Sequence, residues 1–167
     1  MRIFKEEQRF TQLWLIVIMS MSSIVFLGII LKEYFAENST MKTLEMTLII
    51  GFYFACIIPI FFFKLSTRID EKGIHYKFSP FHRSFKIKLW SEITSVSVRK
   101  YDAISEYGGW GYKGFFGKKG NAINISGNIG IQLEFINGKK LLIGTKKELD
   151  AKSVLETYHH KISTHGN

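Results

Sequence analysis

The chain has 167 residues, is 46% hydrophobic and 22% charged, and carries a net charge of +9. That length holds one ordinary domain and a small appendage. Its one cysteine, Cys56, excludes an intrachain disulfide and a thiolate metal cluster.

Hydrophobicity is concentrated early. Leu13 to Leu31 carries no charge, and Leu44 to Phe63 carries only Glu45 near its start. At about 1.5 Å per residue, each run reaches ~30 Å, the thickness of a bilayer's hydrocarbon core. A signal peptide has a shorter apolar region and a small-residue cleavage site. Here the first run leads into Lys32-Glu33-Tyr34-Phe35. The expected layout is therefore a cytoplasmic N-terminus at 1–12, transmembrane helices at 13–31 and 44–63, a short external loop at 32–43, and a cytoplasmic domain at 64–167. Arg2, Lys5 and Arg9 before the first span, and Lys64 and Arg68 after the second, place both termini in the cytoplasm by the positive-inside rule. The expected location is the inner cell membrane.

Small residues at Gly51 and Ala55, with Ser20, Ser22 and Ser23 in the first span, predict close packing of the two spans as a hairpin. Oligomerisation through the same residues ranks second. Pro59 predicts a kink near the end of the second span.

From Ser66 onward the period becomes alternating. Strands are expected at Arg68–Asp70, Ile74–Phe78, Ser84–Leu89, Ile93–Tyr101, Ala122–Ser126, Gly130–Ile136 and Lys140–Ile143, about seven in all. Asn137-Gly138 is the strongest hairpin signal. Thr145-Lys-Lys-Glu148 fits a capping box. Ala151, Leu155, Tyr158 and Ile162 then share one face of a helix running from about Lys146 to Ile162.

RIDEKGIHYKF (Arg68–Phe78), the step Leu89-Trp90-Ser91-Glu92-Ile93 and GNIGIQLEFINGKKLLIGTKK (Gly127–Lys147) carry a resemblance. The chain resembles small bacterial membrane proteins in which two spans precede a cytoplasmic pleckstrin-homology-like domain. The resemblance covers roughly Lys64–Ile162 and the two-span layout. It implies a small antiparallel barrel or sandwich capped by the C-terminal helix, and it brings no catalytic motif. Eukaryotic relatives of that domain often bind phosphoinositides through a basic pocket between the first strands, where this chain carries Lys72, Lys77, Arg83, Lys86 and Lys88.

Half of the fourteen glycines lie between Tyr107 and Asn128, including a G-x-G-x-x-G at Gly109, Gly111 and Gly114. A dinucleotide fingerprint needs a strand before it and a helix opening at it. Phe115, Phe116, Gly117, Lys118, Lys119 and Gly120 follow instead, and Lys118 lacks the next Ser or Thr of a phosphate loop. The stretch 108–120 is expected to be a mobile contact loop. It would present Trp110, Tyr112, Phe115 and Phe116 beside Lys113, Lys118 and Lys119 to a membrane or partner.

Catalysis finds little footing. No G-x-S-x-G, H-E-x-x-H or C-x-x-C occurs, and Asp102 with Glu106 is the nearest thing to an acid pair. His159-His160 suits a helix C-terminus better than a metal site. No cofactor, metal or enzymatic role is expected.

Residues 64–167 hold 18 Lys and Arg against 9 Asp and Glu. A tethered domain with that balance meets an anionic leaflet before it meets nucleic acid. The expected function is a membrane-anchored binding or scaffold module. Its partners would be anionic lipid headgroups, another membrane protein or a second copy. The alternative is a nucleotide-responsive or enzymatic domain using loop 108–120.

Overall fold

The computed structural model describes residues 3–113 and 120–162. These form two compact units: Phe10–Phe63, and the remainder.

The first unit holds helix α1 (Leu13–Tyr34) and helix α2 (Thr43–Ile57), the latter continued by a 3-10 turn over Ile58–Phe62. Leu13–Tyr34 and Thr43–Phe62 are each long and apolar enough to cross a membrane. Pro59 sits in the first turn of the 3-10 segment, where its missing N–H costs least. The helices meet through polar and aromatic groups. The Tyr53 hydroxyl lies 3.1 Å from Ser22 Oγ and 3.4 Å from Ser23 Oγ, and its ring stacks on Phe26 at 3.9 Å. The glycine expected at this contact is elsewhere. A side chain at Gly51 would meet nothing within 4 Å, so the serines and Tyr53 make the packing that Gly51 was expected to make.

The second unit contains nine strands among the described residues, against about seven expected. One sheet is four-stranded and antiparallel, in the order β1 (Phe4–Arg9), β2 (Lys64–Ile69), β3 (Gly73–Ser79), β4 (Lys86–Leu89). The other has five strands in the order β5 (Ile93–Lys100), β8 (Ile129–Phe135), β9 (Lys140–Gly144), β7 (Asn121–Asn124), β6 (Gly111–Lys113). Only β7 and β9 run parallel in that sheet. Leu65, Ile69, Ile74 and Phe78 from one sheet, and Ile131, Leu133 and Ile143 from the other, are buried almost completely.

Strand β1 lies in the segment expected to be a tail. Its sequence FKEEQR looks solvated, but Phe4, Glu6 and Gln8 are buried in strict alternation with exposed Lys5, Glu7 and Arg9. Polar partners explain two of the buried positions. Gln8 Nε2 donates to the Gly144 carbonyl at 2.8 Å. Glu6 accepts from the Thr145 hydroxyl at 2.5 Å and from the Lys146 N–H at 2.8 Å. The domain therefore includes Phe4–Arg9 as well as the chain from Lys64, and only Phe63 separates that second part from the apolar helix.

The capping box fails for the same reason. The Thr145 hydroxyl is engaged by Glu6, and Glu148 pairs with Lys152 at 2.7 Å. Helix α4 (Glu148–Tyr158) begins later than expected, and a 3-10 turn continues it to Lys161. Ala151, Leu155, Tyr158 and Ile162 are buried, as the spacing predicts, and Val154 is buried beside them. The helix packs mainly on β5, with further contacts to β1 and β8, so it touches both sheets. Its end is fixed by Trp90, which stacks on Tyr158 at 5.6 Å and donates its indole N–H to the Asp70 carbonyl at 2.9 Å.

At that β2–β3 turn the Asp70 side chain receives Arg68 Nε at 3.0 Å, His75 Nε2 at 2.9 Å and the Lys72 N–H at 2.9 Å. Burial alone would raise its carboxyl. Hydrogen bonds from His75 and Lys72, with the charges of His75 and Arg68, hold it below the ordinary aspartate value instead.

Two predictions follow from this packing. Glu6→Ala leaves a buried hydroxyl and an amide without their acceptor, and should cost about 1–3 kcal/mol in denaturant unfolding of the full chain. An unchanged midpoint would mean that β1 does not hold the β9–α4 junction. Because its folded pKa is depressed, Asp70 stabilises the protein above the ordinary aspartate value, and that contribution is lost as pH falls through the folded value. Asp70→Asn should lower stability at neutral pH and flatten the acid limb of the stability profile, whereas an unaltered limb would show that the turn is not the group titrating there.

Candidate functional site

The edges of the two sheets are closed differently. Helix α4 contacts edge strands β1 and β5. Near edge strands β4 and β6, a cleft of about 520 Å³ opens between the sheets. Tyr76 of β3, Lys88 of β4, Tyr112 of β6, Asn121 of β7 and the β8–β9 hairpin from Phe135 to Leu141 line it, with Ser91 and Glu92 below. Its volume lies in the range of small-ligand sites.

The lysine in the wall arises from an inverted strand. KIKL alternates as an amphipathic strand should, and the usual arrangement would turn Ile87 and Leu89 inward. The register pairs Tyr76 with Lys86 and Ile74 with Lys88, so the lysines share the inner face with buried Ile74 and Tyr76. Ile87 and Leu89 are exposed. Close approach at Gly73 holds this register, since a Cβ there would strike the Lys88 carbonyl. Lys88 Nζ sits 4.9 Å from the centre of the Phe135 ring, a cation–π contact that lets an ammonium face a largely apolar wall.

Two more ammonium groups come from the hairpin. The Asn137-Gly138 turn places Lys139 and Lys140 at the rim, with the Lys139 N–H donating to Asn137 Oδ1 at 3.0 Å. Lys140 pairs with Glu134 at 2.5 Å. Burial, and then the neighbouring Tyr112, push the Tyr76 phenol up, so it remains a neutral hydrogen-bond donor at physiological pH. Behind Tyr112 lies the buried His82, whose ring is 5.5 Å from Tyr112 and 5.8 Å from Tyr76. Its Nδ1 accepts the Phe78 N–H at 3.2 Å, and burial with Lys86 holds its pKa below the ordinary value. His82 is thus a neutral spacer with one ring nitrogen bound to the backbone. The cleft can hold an anion by ammonium charge and phenol or amide donation. Among the described residues its one lining carboxylate is Glu92.

The residues expected to act together in one contact loop are distributed. Tyr112 belongs to β6 and faces the cleft. Trp110 packs against Tyr101, Ala103, Tyr107, Ala122 and Leu142, a second small core on the opposite face of the β6–β9 sheet. Lys113 pairs with Ala122 and so shares Ala122's face, not Tyr112's. Phe115, Phe116, Lys118 and Lys119 lie outside the described residues. Gly111–Lys113 is a strand because Asn124 Oδ1 accepts the Gly111 N–H at 2.9 Å and β7 supplies the ladder.

Helix α3 (Ala103–Tyr107) covers the second core. Asp102, half of the suspected acid pair, caps it by accepting from the Ile104 and Ser105 N–H groups. Glu106 binds Arg99 at 2.9 Å and accepts the Asp102 N–H at 3.0 Å. Gly108 ends the helix at φ 72°, with its N–H on the Ile104 carbonyl and that of Gly109 on Ala103. Both carboxylates therefore serve structure. An N-cap Asp six residues before a Gly was a legible signal for this helix.

Among the described residues no group of three or more His, Cys, Asp and Glu could hold a metal ion. Sequence reasoning placed Lys88 in the basic region of the resemblance but missed Tyr76, Asn121, Lys139 and Lys140, because no local pattern shows which strands meet. Comparison with family models, curated proteins and solved structures gives no match to this chain.

Proposed function

We propose that this chain is a membrane-anchored binding module. A pleckstrin-homology-like domain is held at the cytoplasmic leaflet by two transmembrane helices, and its inter-sheet cleft takes up an anionic lipid headgroup. The observation that carries this reading is a lysine- and tyrosine-lined cleft in a domain whose strands β1 and β2 run on into two helices of bilayer length.

Strand pairing supports the two-span layout independently of charge counting. Arg9 is the register partner of Lys64, so both ends of the Phe10–Phe63 segment leave from one end of one sheet. A segment with that constraint crosses a bilayer an even number of times. The basic flanks then choose the cytoplasmic side. The resemblance to two-span proteins of this class points the same way.

Nucleotide binding by residues 108–120 draws less support. A phosphate cradle wants a helix opening after its glycines, whereas Gly108 closes one and Gly111 opens a strand.

The test uses full-length protein in detergent, titrated with soluble short-chain phosphatidylglycerol and, for comparison, phosphatidylcholine. Binding should be selective for the anionic lipid and should fall about tenfold or more when Lys88 and Tyr76 are changed together to Gln and Phe, since removing charge-assisted partners costs about 1.5–3 kcal/mol each. Equal binding of both lipids, or no loss in the double variant, would reject the cleft. Retention of the protein in carbonate-washed membranes tests the anchor separately.

A further inference from the structure

We infer that the β3–β4 turn, Ser79–Phe85, is a second lipid-contacting element, inserted at the bilayer interface and separate from the cleft. This inference rests on the membrane reading above.

The turn presents apolar surface that the fold does not cover. Phe81 is 64% exposed and Phe85 47% exposed. Pro80, Arg83, Ser84 and Lys86 are exposed beside them. Phe81 stacks one ring face on Phe78 at 5.8 Å, so its orientation is fixed while most of its surface faces outward. Such a pairing of exposed aromatics with Arg and Lys suits the boundary between headgroups and acyl chains.

Its base is rigid. The turn closes on His82, whose N–H donates to the Phe78 carbonyl at 2.8 Å while its Nδ1 accepts the Phe78 N–H. The buried imidazole is wedged between the Tyr76 and Tyr112 rings. Phe81 and Phe85 therefore project from a braced support, one residue before and three after the buried histidine.

Position within the sheet selects the occupant. Lys64 is the register partner of both Arg9 and Ser79, so the turn emerges at the end of the sheet from which the chain departs in both directions for the apolar helices. Paired Cα atoms lie about 5 Å apart and two further residues add at most about 7 Å, so Phe81 lies within ~12 Å of Lys64. One residue, Phe63, precedes Lys64 after the end of the apolar segment at Phe62. Arg9, Arg83 and Lys86 supply positive charge at this end, as an anionic leaflet requires, while Lys64 is paired with Glu7 at 2.7 Å. Among the described residues, the opposite end of the same sheet, at Glu71-Lys72, carries no exposed aromatic residue.

The experiment uses the full chain with Cys56→Ser, reconstituted in vesicles containing phosphatidylglycerol. Single cysteines introduced by Phe81→Cys, Lys72→Cys and Leu48→Cys carry an environment-sensitive fluorophore. Emission is quenched in turn by a lipid bearing a shallow nitroxide and by aqueous iodide. The label at position 81 should be quenched several-fold more by the lipid nitroxide than the label at 72, and should be shielded from iodide. The label at 48 reports the anchor itself. If 48 is quenched by lipid and 81 behaves like 72, the turn is not a membrane element although the anchor stands. If 48 also escapes the lipid quencher, the membrane reading fails and takes this inference with it. A label at 81 shielded from both quenchers would place the turn against another protein chain and overturn the lipid assignment.

Discussion

Strand β1 pairs along its whole length with β2, although both apolar helices lie between them in the sequence. This pairing fixes more than an edge of a sheet. It brings Glu6 and Gln8 under the end of β9, where their side chains bind the Gly144 carbonyl, the buried Thr145 hydroxyl and the Lys146 amide. It gives α4 a surface on the first sheet, and it ties Arg9 to Lys64. The entropic cost of closing so long a segment grows slowly with length, by about 0.6 kcal/mol per doubling. Contacts between α1 and α2 through Tyr53 shorten the effective loop further.

Closure by β1 and α4 on one side leaves the β4 and β6 edges as the open side, and electrostatics there follows from strand register. Lys88 of β4 faces the cleft, and an inward charge of this kind also protects an edge strand from pairing with another chain, whereas Lys86 at the start of the strand is exposed. Lys88 tolerates the position because the Phe135 ring receives its charge and the cleft remains wide enough for solvent or ligand. The cost of the inversion is that Ile87 and Leu89 face outward. The surface chemistry and the cleft chemistry are thus two results of one register, held by the close approach at Gly73.

Much of this architecture was legible beforehand. The apolar runs, the Asn137-Gly138 hairpin and the buried face of α4 depend on local period and turn chemistry, and each sits where those rules put it. The misses have a common physical cause. FKEEQR reads as solvated because its buried Glu6 and Gln8 find partners on β9 and beyond it, more than a hundred residues away. The alternation of KIKL marks a strand and leaves its inner face open, because period alone does not say which face is the core. The glycine-rich stretch reads as loop because β6 has three residues and borrows its stability from β7. Helix α3 was readable from Asp102 and Gly108, and its short length hid it. The cleft draws its lining from six strands, so no window of sequence contains it.

The pairing of β1 with β2 can be measured directly in the full chain carrying Cys56→Ser. Paired strand residues have Cα separations of about 4.5–5.5 Å, within disulfide range, whereas residues two strands apart are separated by ~10 Å and are not. Glu7 is the register partner of Ser66, and Ser66 in turn of Lys77. Cysteines introduced by Glu7→Cys and Ser66→Cys should form an intramolecular disulfide on mild oxidation, read by mass spectrometry after thiol alkylation. The Glu7→Cys and Lys77→Cys pair should remain reduced. A reduced 7–66 pair, or equal oxidation of both pairs, would contradict the central role of β1.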